Sequence, residues 1–242
     1  MIGLIEERQP LLTVAEAVVP LRSAYVWTCA KTWTSTHERD PQMRYLRDAH
    51  RPSPLACLSD TLTMTAILSL LTVKTVALAV HKGERFIIVD PPENGRIEHT
   101  PSIVDRVRNG LVFGLEMVLN RDLFFLIESR KRNEEAHKKV QSATKFVFGD
   151  RVKQMFYISI FAANMDTDIH NHAGALVDAV TGLADLVDQG IWVKSTSTAQ
   201  TAFFRSHGFT TIAEVVLGDQ NTKWHENPVI IDIMVREPRG GV

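Results

Sequence analysis

The order of the apolar runs in the last third of the chain most constrains its fold. Residues 154–163, 191–195, 210–217 and 228–236 carry the β-rich patterns of strands, while 173–189 and 198–207 place apolar residues at helical spacing. The order is βαβαββ. The unit joining the first two strands has the length of a right-handed crossover. Those strands are therefore expected to be parallel, with the connecting helix starting at the carboxyl end of the first. Strands alternating with helices give the expected class, α/β. A helix N-terminus beside strand ends is also a natural anion site.

Upstream the patterns are less regular. Residues 14–48 and 54–71 read as helical, with Pro20 and Pro41 as interruptions or helix starts. Strands are expected at 75–80 and 85–89, joined by His81-Lys82-Gly83-Glu84, and the run Asp90-Pro91-Pro92-Glu93-Asn94-Gly95 ends that hairpin. Two amphipathic helices follow at 102–119 and 122–140, the second carrying acids ahead of bases between Glu128 and Lys139. The apolar stretch 62–80 has nearly the length of a membrane span, but it contains Lys74 and changes from helical to β-rich character near Thr72. Helix followed by strand is the reading adopted, with no membrane partner. The whole is expected to form one domain, 1–242. Its parts are a mainly helical 1–72, a hairpin with two helices over 73–150, and the βαβαββ core over 151–242.

Twenty-seven basic side chains against 28 acidic ones give a formal net charge of −1, which supplies no long-range field to attract a polyanion. Nucleic acid is excluded as an expected partner. The two cysteines, Cys29 and Cys57, belong to no motif, and the first ten residues carry acids where a secretory leader would carry bases. A reducing, cytoplasmic address without disulfides is the expectation.

From Phe156 to Asp219 the sequence resembles, without a gap, the C-terminal half of GNAT acyltransferases, above all the fungal branch that acts on small molecules. The most specific pieces are Gly174-Ala175-Leu176-Val177, Ala184-Asp185, the run from Trp192 to Ser197, and His207-Gly208-Phe209. Asp90-Pro91-Pro92-Glu93 also stands where that branch has a proline-rich turn. The resemblance implies a mixed central sheet, flanked by helices, whose strands splay apart into a cleft, with N-terminal helices shaping the acceptor side. It also implies an acyl-CoA held along Phe161, Ala163, Asn171, Ala173, Gly174, Gln200 and Phe204. Members carry Gln/Arg-x-x-Gly-x-Gly/Ala on the pyrophosphate loop, whereas this chain reads Asp168-Ile169-His170-Asn171-His172-Ala173, of which only Ala173 conforms. An acid there repels phosphate, although asparagine tolerates the left-handed backbone that the central glycine adopts. Phe204 stands where members place a tyrosine that protonates the departing thiolate, and phenylalanine has no proton to give. Gln200 and Lys194 replace an asparagine and a glutamate common in that branch.

His170 and His172 lie with Asp166 and Asp168 at the carboxyl end of a strand, where an α/β fold places its chemistry. Such a set can supply a general acid and base without a cofactor, and a polar surface loop that has lost its ligand is the other reading. No metal is assigned, because His-x-His suits alternate strand residues better than a loop. Ser159 lacks the surroundings of a nucleophile, His207 reads as a helix end, and Tyr25, Trp27, Trp33 and Tyr45 are expected in the helical core.

Three functions follow from this reading. The first is a small-molecule enzyme of secondary metabolism that uses the acyl-CoA cleft, without CoA, for acid/base chemistry such as isomerisation, cyclisation or elimination. The second is an acetyl-CoA-dependent N-acetyltransferase with an altered phosphate loop, and the third is a non-catalytic binder of small molecules. The cofactor is accordingly none or acetyl-CoA, and the oligomeric state is left open.

Overall fold

A computed structural model of the chain describes residues 18–47, 54–72, 75–93, 123–163 and 172–240. They form one seven-stranded sheet in the order β1-β2-β3-β4-β5-β7-β6. The strands are β1 (Val19–Pro20), β2 (Val76–Val80), β3 (Arg85–Asp90), β4 (Phe156–Ala162), β5 (Ile191–Ser195), β6 (Thr210–Leu217) and β7 (Val229–Arg236). All pairs are antiparallel except β4 with β5, the pair expected to be parallel. The helices are α1 (Val26–His37), α2 (Pro41–Leu46), α3 (Pro54–Leu71), α4 (Leu123–Phe148), α5 (His172–Leu186) and α6 (Thr198–Ser206).

The α5 helix places Ala173, Leu176, Val177, Val180 and Ala184 on one buried stripe, the period that the sequence showed. It packs on Ile158, Phe161, Ile191, Val193 and Met234 on one face of the sheet. Each large side chain sealed there stabilises the fold by about 1.5–3 kcal/mol. On the other face, α1 and α3 bury Cys29, Ala30, Met64 and Leu68 against Phe86 and Ile88. Burial pushes the Cys29 thiol up to about 12, which makes it an inert core group. The α4 helix and Trp224 cover a third cluster over β6 and β7, which contains the fully buried Tyr45.

Asp185, near the end of α5, receives both guanidinium nitrogens of the buried Arg236 at 2.8 and 2.7 Å. Those hydrogen bonds hold its carboxyl well below the usual range, at about 2. The Ala184-Asp185 piece of the sequence is thus an anchor between α5 and the end of β7.

Two expectations upstream are corrected. Val19–Pro20 is not helical but a short edge strand on β2, where a proline without an N–H is tolerated. The charged helix does not stop at Val140 but runs on to Phe148, because no proline or glycine intervenes before Gly149. The 62–80 stretch divides as expected, α3 ending at Leu71 and β2 starting at Val76. Among the described residues α3 is the one helix long and apolar enough to cross a membrane, at a mean hydropathy of 1.5. Its Thr61, Thr65 and Ser69 hydroxyls are satisfied by carbonyls one turn back, and Met64 and Leu68 face the core. The helix expected at 102–119 lies outside the described residues.

Candidate active site

The β4 and β5 strands pair only through Phe156 with Ile191, Tyr157 with Trp192 and Ile158 with Val193. Beyond that point β4 continues to Ala162 and β5 to Ser195 without a shared register, so the two strands part. The cause lies on the other edge of β4, where the β3–β4 ladder shifts register between Ile88 and Val89 and leaves Ser159 as the extra residue. Such a bulge bends its strand. The Ser159 hydroxyl is used in that bend, donating to the Ile88 carbonyl at 3.3 Å. Alternate N–H and C=O groups of β4 beyond Ile158 therefore face an opening rather than a neighbouring strand.

Two adjoining cavities occupy the opening. One of about 230 Å³ is lined by Trp33, Met64, Ile160, Lys194, Thr196 and others, and one of about 210 Å³ by Thr36, Arg39, Ala163, Ser197 and others. His37, Asp40, Phe161 and Gln200 line both. A wider hollow of about 890 Å³ adjoins them through Pro41, Thr196 and Ser197, and it carries the carboxylates of Glu214, Glu226 and Asp232. Arg44 pairs with Glu226 at 2.8 Å, and Asp232 accepts from the Thr201 hydroxyl at 2.6 Å.

His37 is the last residue of α1, and its Nδ1 lies 2.9 Å from the Trp33 carbonyl. A carbonyl only accepts, so Nδ1 carries the proton and the lone pair belongs to Nε2. The ring stacks on Trp33 with centroids 4.4 Å apart. Burial lowers its proton affinity below the ordinary 6.5, and Asp40 only partly opposes this. A neutral imidazole therefore stands at the junction of the two cavities. Asp40 fixes the turn that follows: its Oδ1 caps α2 by accepting from the Met43 N–H at 2.9 Å, Pro41 occupies the first helical position, and the Thr196 hydroxyl donates to Oδ2.

Of the residues expected at the site, Phe161, Ala163 and Gln200 line the opening. The Gln200 Oε1 accepts from the Thr196 N–H at 3.1 Å, which sets the loop between β5 and α6. Ala173 and Gly174 are buried in the first turn of α5. Phe204 has no exposed surface and packs among Phe161, Phe203 and Phe209, so its ring lies in the core and not on the cavity wall. His172 starts α5, half-turned toward the β2–β3 connection, with its Nε2 3.2 Å from that of His81. Asp166, Asp168, His170 and Asn171 lie outside the described residues. Lys194 rests its Nζ 5.6 Å from the Tyr157 ring, and His207 caps the end of α6 with its ring 3.0 Å from Asp178. Tyr45 is core, whereas Trp33 lines the cleft and Trp27 is 40% exposed.

Sequence reasoning missed His37, Asp40 and Thr196. Asp40-Pro41 carried a signal, since an acid followed by proline is a helix-start signature. A lone histidine at a helix end carried none.

Comparison with solved structures agrees with this geometry. Arylalkylamine N-acetyltransferase 2 from Aedes aegypti superposes with a TM-score of 0.55 at 16% identity, covering 91% of this chain and 97% of that one. The chain has the GNAT acetyltransferase fold. A structure described as histone acetyltransferase HPA2 and related acetyltransferase, from Corynebacterium glutamicum, gives a TM-score of 0.50 at 13% identity over 93% of this chain and 98% of that chain. The C-terminal condensation domain of Ebony, in complex with beta-alanyl-dopamine, gives 0.55 at 10% over 91% and 97%. No family model and no curated protein sequence matches the chain.

Proposed function

We propose that this chain is a small-molecule enzyme that transfers an acyl group to an amine in the opening between β4 and β5, with His37 as general base. The observation that carries the reading is the neutral His37 ring, its Nδ1 committed to the Trp33 carbonyl, at the junction of the two cavities. An acyl-CoA would fit the parted strands, held by the open edge of β4 beside Phe161, by Gln200, and by the small first turn of α5 at Ala173 and Gly174. It would supply an acyl group already activated as a thioester. The parts this chain adds are its own. Backbone N–H groups on the β4 edge can hold a developing oxyanion, and a buried edge of this kind needs no reorganisation during reaction. The acceptor enters through the wide hollow, where Glu214 and Asp232 favour a cation. His37 Nε2 takes the proton that the acceptor nitrogen must lose, and protonated His37 can return it to the leaving thiolate. An arylalkylamine acceptor accords with the fold shared with the Aedes aegypti arylalkylamine enzyme.

One observation favours a second reading. With Phe204 sealed in the core, α6 presents no proton donor to a departing thiolate at that position. A CoA-independent isomerisation, cyclisation or elimination would need none, and His37 would serve it as acid and base alone.

One assay separates them: release of free thiol from acetyl-CoA, followed with a thiol-reactive dye, over a panel of arylalkylamines and polyamines. Amine-dependent release supports acyl transfer. No release from any amine, together with no binding of acetyl-CoA at millimolar concentration, overturns it and leaves the CoA-independent reading.

A further inference from the structure

Lys194 is the first residue of β5 past its last pair with β4, Ile158 with Val193, so it stands where the two strands part. Strand alternation puts it on the same face as Trp192, while Ser195, on the opposite face, is fully buried and 2.8 Å from the Thr201 hydroxyl of α6. Its neighbour on that face is Tyr157, which stacks on Trp192 with centroids 4.0 Å apart, and the Lys194 Nζ rests 5.6 Å from the Tyr157 ring. The stem is thus carried on an aromatic shelf beside the cavity of about 230 Å³, which Lys194 and His37 both line.

Every other described lysine or arginine that is not exposed stands beside a carboxylate, Arg236 at 2.7 Å from Asp185 and Lys139 at 2.6 Å from Asp219 among them. Lys194 is half-buried and makes neither an ion pair nor a hydrogen bond among the described residues; the Tyr157 ring is its one charge-stabilising contact there. An ammonium taken partly out of water favours an anion beside it. The one carboxylate on the described lining of the cavity, Asp40, is already committed to the Met43 N–H and the Thr196 hydroxyl. Trp33, Met64, Ile160 and Phe161 make much of the remaining wall apolar. The cavity therefore offers an apolar space, a neutral base at His37 and a cation without a counter-ion.

We infer that Lys194 binds a carboxylate of the acceptor, which is then an apolar or aromatic amino acid rather than the corresponding simple amine. The role of Lys194 depends on the proposed reaction, in which the acceptor nitrogen meets His37. An α-amino acid carries its nitrogen and its carboxylate on one carbon. A single molecule can then set its amine at His37, its carboxylate at Lys194 and its side chain among Trp33, Met64 and Ile160, all on the walls of one cavity. A simple amine brings a second cation toward Lys194 and nothing to neutralise it, so the same lysine that attracts the amino acid works against its decarboxylated counterpart. Glu214 and Asp232 in the wide hollow suit the ammonium end of either molecule and do not choose between them.

The test is calorimetric binding to the purified full-length chain, without acyl donor, of two matched pairs: L-phenylalanine with 2-phenylethylamine, and L-tryptophan with tryptamine. Wild type should bind each amino acid at least about tenfold more tightly than its amine. Lys194→Met keeps an unbranched stem over Tyr157, so its melting temperature should hold while that preference is lost. Lys194→Arg keeps the charge and should keep most of the preference. Thiol release from acetyl-CoA with the same acceptors reports on acyl transfer separately: a preference that depends on Lys194, without thiol release, sustains the carboxylate site and counts against acyl transfer alone. Equal binding of amino acid and amine by wild type, no binding of any of them at millimolar concentration, or a preference unchanged in Lys194→Met overturns the site.

Discussion

The two walls of the opening are built differently. One wall, made of β4, β5, α5 and α6, is continuous sheet and helix. It is sealed by Phe161, Phe204 and Met234 and tied off by the Asp185–Arg236 pair. Among its described residues the cavity lining is aliphatic, aromatic, amide, hydroxyl and one lysine. The other wall is the end of α1 and the turn into α2, a short segment whose polar groups include His37 and Asp40 beside Thr36, Arg39 and Gln42. The first wall makes the space, and in the proposed reaction the second supplies the base. Long-range pairing fixes the one, and a single cap and one hydroxyl contact fix the other.

That division predicts where each kind of substitution acts. The largest effect on stability belongs to Phe204→Ala, which leaves a cavity in the sealed wall and should cost about 3–5 kcal/mol in denaturant unfolding. The sharper variant is Phe204→Tyr. Its hydroxyl would be buried without a partner, so it should lose about 1–3 kcal/mol and gain no thiol-releasing activity. Increased turnover with intact stability would show that the ring reaches the cavity. Next is Asp185→Asn, which strands a buried guanidinium and should cost about 3 kcal/mol while leaving KM for a small acceptor unchanged. The wild-type pair has its own pH signature. The Asp185 carboxyl is depressed to about 2, so its contribution of about 2 kcal/mol is present above pH 4 and lost as pH falls toward 2. Acid unfolding that is the same in Asp185→Asn and wild type would contradict the assignment. The smallest stability effect is expected from Asp40→Asn, about 1 kcal/mol or less because asparagine also caps. Its activity should fall more than its stability, since the Thr196 contact and the charge beside His37 change together.

The same division explains what was legible in the sequence. The β6 strand runs over 210–217 and β5 over 191–195 as expected, because β-rich runs and the neighbouring turns set their ends. The parallel β4–β5 pair followed from the length of its crossover. The point at which they part did not, since it depends on a bulge set by β3, some seventy positions away. Val19–Pro20 was misread because a proline in a stretch of helical character reads as an interruption or a helix start and gives no hint of the edge it joins. Phe204 was read as lying in the cleft because the pattern gives its position in the helix but not the rotation that turns it into the core. His37 was invisible for a further reason. Its chemistry comes from a carbonyl one turn back, from burial under Trp33 and from two cavities formed by distant strands, none of which leaves a motif.

The most direct test of the central claim is the pH dependence of kcat/KM for wild type and His37→Gln, with an acceptor that supports thiol release, from about pH 5 to about pH 9. Because burial lowers the proton affinity of His37, wild type should hold its rate through pH 6.5 and lose it only below. The variant should be slower by about 10²–10⁴-fold with that acid limb gone and its melting temperature little changed. A variant that keeps the wild-type rate and the same acid limb would remove His37 from the reaction.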